Sequence, residues 1–133
     1  MQECLITSLV DSQLPLSKVD AHSKPLTTTR FAQAYSEAGG QILFGTDVGY
    51  IEQFDTSEEF DWMSRAGMSV QHILASLTTN PAQGFGYSTY SGRIAKGMDA
   101  DLVLLGADPG RDVAAFSRVR YTIRGGKVVY SQR

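Results

Sequence analysis

Two histidines and one cysteine are all that this 133-residue chain offers as imidazole or thiolate ligands. A lone Cys4 excludes an internal disulfide and suits a reducing, cytoplasmic setting. His22 and His72 have no second histidine two, three or four positions away, so the short metal-binding spacings are absent. Both read as structural or solvated residues. There is no basic block either: 12 Lys+Arg against 14 Asp+Glu give a net charge of −2. Nothing here recruits a phosphate backbone, which excludes nucleic acid as the expected partner. The apolar stretch Cys4–Val10 is too short to cross a bilayer, and Gln2 and Glu3 precede it where a secretory signal carries Lys or Arg. No membrane is expected. A Gly-x-Ser-x-Gly elbow is missing. GRIAKGMD (92–99) fails as a phosphate loop because Met98 and Asp99 follow Gly97 where Lys and Ser or Thr are required.

What is present is a globular composition, 42% apolar and 20% charged, at the length of about one domain. CLITSLV (4–10) is β-branched and apolar, as in a strand buried on both faces. A polar loop with Pro15 and Pro25 follows. Thr27–Thr29 then offer N-caps for a helix whose Phe31, Ala34, Tyr35 and Ala38 share one face, stopped by Gly39-Gly40. QILFG (41–45) reads as a second short strand. Strand, helix, strand in this order is a βαβ unit with parallel strands and a right-handed crossover.

Thr56 and Glu59 have the spacing of a capping box for a helix from Ser57 to Ala66, ended by Gly67. Ser69 caps another, striped by Val70, Ile73, Leu74 and Leu77 and closed by Asn80-Pro81. From residue 86 the style changes. GYSTYSG is turn-rich, ADLVLL (100–105) is a short strand, and RVRYTIRGGKVVYSQ is a hairpin turning on Gly125-Gly126. An α/β segment (1–85) is thus followed by a small antiparallel β segment (86–133).

One acid is conspicuously placed. In QILFGTDVGY (41–50), Asp47 stands just beyond the apolar run, where active sites of α/β barrels and open sheets are built. An Asp before Val-Gly also makes turns by bonding its own backbone. The ten residues leave both readings open.

A longer resemblance bears on that choice. Ala38-Gly39-Gly40 leading into ILFGTD, then SRAGMSVQHILASLTTNPAQGFGY, then GRIAKGMDADLVLLGADPGRDVAAFSRVRYTIRGGKVVY stand in the order found in metal-dependent amidohydrolases. The chain resembles their imidazolonepropionase-like and prolidase-like branch over about residues 30–130, and CLITSLV takes the place of the preceding barrel strand. The resemblance implies an α/β fold: the C-terminal fragment of a (β/α)8 TIM barrel plus the C-terminal strands of a composite β-sandwich. It implies that Asp47 ligates or neighbours a divalent metal, commonly zinc, and shuttles a proton. It also implies that Val48, Gly49 and Tyr50 edge the pocket for a small amide substrate.

The family's other ligands, beginning with a His-x-His pair on the first strand, have no counterpart among these residues. A barrel of this type takes about 250 residues and eight strands, of which two are visible here. The chain is therefore expected to be inactive alone, and either to form a homo-oligomer through open strand edges or to need its missing N-terminal portion.

Overall fold

The computed structural model of the chain describes residues 24–46 and 54–132. The predicted strand at 4–10, and with it Cys4 and His22, lies outside the described residues.

Helix α1 spans Lys24–Glu37, α2 Ser57–Arg65, α3 Val70–Leu77 and α4 Thr79–Gly84. Strands β1 (Leu102–Leu105), β2 (Val119–Arg124) and β3 (Lys127–Ser131) follow, with a 3-10 turn, η1, at Val113–Ser117 between the first two. Helix α1 starts earlier than expected, so Thr27–Thr29 lie inside it rather than before it. Pro25 accounts for this, because a proline in the first helical turn gives up an N–H that has no partner there anyway. The buried face also differs. Ala32 is in the core and Tyr35 packs against it, while Phe31 is 42% exposed and Ala34 faces outward.

Helices α1 and α2 close alike. Gly40 N–H donates to Tyr35 O and Gly39 N–H to Ser36 O; Met68 N–H donates to Met63 O and Gly67 N–H to Ser64 O. These are Schellman closures. Gly67 carries the required positive φ of 93°, and a Cβ there would stand 2.8 Å from Gln33 Nε2 on α1. The conformation is what demands a glycine, since the flexible end of Gln33 could move aside.

At the start of α2 the expected capping box does not form. Thr56 has φ −97° and ψ 7°, outside the extended geometry of an N-cap, and makes no capping bond. Asp55 Oδ1 accepts from Ser57 N–H at 2.9 Å instead, and the Thr56 hydroxyl lies 3.2 Å from that of Ser117. The cap of α3 is as read from the sequence: Ser69 Oγ accepts from His72 N–H at 3.2 Å. Helix α3 nonetheless ends before Asn80. Thr78 Oγ1 donates to Leu74 O, the carbonyl its own N–H would use to continue the helix, and that N–H turns to Ala75 O. The break at Thr78 separates α3 from α4, whose first turn accommodates Pro81.

The core holds Ala32, Ile42, Phe60, Met63, Met68, Ile73 and Phe116, with Tyr35, Phe44, Val70, Leu77, Leu105 and Val113 packed around it. Removing a side chain such as Ile73 or Phe60 from water contributes about 1.5–3 kcal/mol. Leu74, expected in the α3 stripe, is 48% exposed, and Ser76 is buried in its place. Ser76 tolerates burial because its hydroxyl donates to Ile73 O at 2.7 Å.

The three strands form one antiparallel sheet in the order β1-β2-β3. The hairpin is as predicted: Arg124 pairs with Lys127, and Gly125 and Gly126 between them have φ of 54° and 76°, the left-handed pair that a two-residue turn of matching twist needs. Leu102, Leu104, Tyr121, Ile123 and Val128 oppose one another along one face. The other face carries Val103, Thr122 and Tyr130.

Candidate functional site

The approach to Asp47 is built from the helices. Residues 41–46 make no strand ladder among the described residues, in contrast to the strand expected at QILFG. A parallel ladder needs its neighbour, and the expected one, 4–10, lies outside the described residues. The backbone of this segment is held by α3 and α4 instead. Phe44 N–H donates to Ser76 O at 3.1 Å, and Asn80 Nδ2 donates to Ile42 O at 3.0 Å. The two bonds flank the α3 break: Ser76 lies in the last turn of α3 before Thr78, and Asn80 in the first turn of α4 beyond it.

Side chains fix it as well. Ile42 is almost fully buried, and the Phe44 ring stacks on Phe60 with centroids 4.8 Å apart and planes 12° apart. Phe60 in turn meets Phe116 of η1 at 5.2 Å. Three rings from three separate stretches therefore run from the 41–46 segment, through α2, to the turn ahead of β2. Such pairs add about 0.5–1.5 kcal/mol beyond the area they bury.

Asp47, Val48, Gly49 and Tyr50 themselves lie outside the described residues. His72 is exposed on α3, with only its backbone engaged by the Ser69 cap. Among the described residues no group of three His, Cys, Asp or Glu side chains converges as a metal ion would require. These residues therefore do not by themselves fit a metal. The Asp55 carboxyl is held below the usual carboxylate range, first by the Ser57 backbone N–H and then by the Ser57 hydroxyl. The same contact satisfies a backbone donor at the start of α2. Among the described residues no helix is long and apolar enough to cross a membrane.

Asn80 and Ser76 are the residues that sequence reasoning missed here. Asn80-Pro81 carried a local signal for a helix end, and nothing local announces a bond to a carbonyl 38 positions earlier.

Comparisons with known proteins agree with this architecture. The imidazolonepropionase of Kosmotoga olearia is 32% identical over 73 residues, which are 53% of this chain and 18% of that protein. The crystal structure of a Xaa-Pro dipeptidase with methionine bound in its active site superposes with a TM-score of 0.69 at 29% identity, covering 80% of this chain and 25% of that one. An amidohydrolase from Thermotoga maritima superposes at 0.66 and 26% identity, covering 78% and 26%. The chain thus spans about a fifth to a quarter of the length of these relatives. Its residues 8–129, nearly its whole extent, match the Amidohydrolase family, and the chain belongs to that family.

Proposed function

We propose that this chain is the C-terminal part of a metal-dependent amidohydrolase that cleaves amide or cyclic-amide C–N bonds in small, non-peptide or dipeptide-like substrates. Residues 1–85 would close the barrel and residues 86–133 would supply strands of the composite sandwich. The family match across residues 8–129 carries this reading. The doubly anchored segment that leads into Asp47 supports it.

In this reading Asp47 is the strand-end carboxylate. It neighbours a divalent metal, commonly zinc, of the kind that members of this superfamily generally use, and whose remaining ligands come from the N-terminal portion. Asp47 takes a proton from the attacking water and passes it to the departing amine. One carboxylate serves both transfers when water and leaving group lie on the same side of the scissile carbon. Val48, Gly49 and Tyr50 edge the substrate pocket. Alone, the chain is inactive, and the complete enzyme works in the cytoplasm.

The test is reconstitution. The chain is combined with the N-terminal portion of the protein and assayed on dipeptide-like and cyclic-amide substrates with and without added zinc. Metal-dependent turnover should appear and fall about 10²–10⁴-fold in Asp47→Asn, the usual contribution of a positioned proton-transfer group. Turnover that survives the substitution would remove Asp47 from the mechanism.

A second reading has its own observation. Strand β3 is an edge strand exposed along its length, with Val128, Val129 and Tyr130 turned to solvent. Such an edge pairs readily with another. A non-catalytic module that self-associates there would be oligomeric by light scattering whether or not the N-terminal portion is added.

A further inference from the structure

On the sheet face that carries Thr122 and Tyr130 lies an open groove of about 590 Å³, away from the segment that leads to Asp47. Its polar lining is Ser117, Arg118, Arg120, Thr122, Tyr130 and Gln132, and no carboxylate lines it. Two arginines thus line one concavity together with three hydroxyl-bearing residues and a glutamine.

The two arginines differ in what they meet. Arg118 Nη2 pairs with Asp112 Oδ2 at 2.7 Å, while Asp112 Oδ1 accepts from Ala114 N–H at 3.1 Å and caps η1. The η1 cap therefore doubles as a splint for Arg118. Arg120 forms no ion pair among the described residues. Its stem runs beside Gly106, where a Cβ would meet Arg120 Cγ and Cδ at 3.4 Å.

The backbone beneath is fixed at both edges: Gly106 N–H donates to Arg118 O at 2.7 Å, and Gln132 N–H to Arg120 O at 2.9 Å. Across the strands Thr122 is paired with Tyr130, which places both hydroxyls on the Arg120 side. Like charges on one face repel, and Asp112 offsets only one of them. A planar fork of N–H donors flanked by hydroxyls matches an oxyanion.

We propose that this groove is a binding site for a small oxyanion, a carboxylate or phosphate group, held by Arg120 with Arg118, Thr122 and Tyr130 around it. The site is independent of the hydrolytic reading, since it uses neither Asp47 nor a metal.

Calorimetric titration of the full chain at low ionic strength, with citrate and with inorganic phosphate as separate probes, tests it. Saturable binding is expected, weakening as salt is added. Arg120→Ala should weaken it about tenfold or more, the effect of losing a charge-assisted bond. Arg120→Lys should lose less, because it keeps the charge without the fork. Arg93→Ala, outside the groove and bonded to Ser88 O, should change nothing. Whichever probe binds more tightly identifies the ligand as planar carboxylate or tetrahedral phosphate, and either result upholds the site. No saturable binding of either probe, or equal affinity in Arg120→Ala, would overturn it.

Discussion

The helices and the sheet of this chain treat their apolar residues differently. In α2 and α3, Phe60, Met63 and Ile73 are buried almost completely, each against partners from distant stretches. In β3, Val128, Val129 and Tyr130 are 59%, 62% and 50% exposed. Both regions are nonetheless regular, for different reasons. The helices are held by a shared core. The hairpin is held by a two-glycine turn and by cross-strand pairing, which require no burial. Regular structure therefore does not measure how much stability a segment contributes.

Substitution should break this contrast in a graded way. Phe60→Ala removes the middle ring of the Phe44–Phe60–Phe116 stack and should cost about 3–5 kcal/mol in chemical denaturation. A loss below about 1 kcal/mol would mean that the stack is not a packed core. Asn80→Ala removes a single bond to a backbone carbonyl and should cost about 1 kcal/mol. Its distinguishing readout is hydrogen exchange at Phe44 N–H, which should accelerate if the segment is clasped from both bonds. Val128→Thr should shift stability by no more than about 0.5 kcal/mol, since the side chain is already in water. A large loss there would show that β3 is covered in solution, and would favour association through the sheet.

The same contrast explains what could be read in advance. The hairpin was legible because Gly-Gly between alternating runs determines turn and register within a few residues. The Ser69 cap was legible for the same reason, its bond spanning three positions. Features that depend on distant partners were not. The Asn80 bond to Ile42 O crosses 38 positions, and the inward turn of Ala32 rather than Phe31 follows from how α1 meets the core. The Thr56 hydroxyl was drawn from its capping role toward Ser117, 61 positions away. Helix α3 broke at Thr78 because a side chain took a backbone carbonyl, a competition that apolar periodicity does not register. The expectation for Asp47 rested on its place after the apolar run and on the ordered family resemblance, and the residue lies outside the described residues. The anchoring of the residues before it became visible only in three dimensions.

The aromatic stack also bears on how relatives of this chain can be recombined. Phe60 belongs to the helical stretch and Phe116 to the stretch that leads into the sheet, yet each covers the other. A chimera that joins these helices to the sheet region of another family member would inherit half of a contact. Exchange at this junction should succeed only when the residue facing Phe60 travels with the helices, so the natural unit of inheritance is the ring pair and not the stretch of sequence.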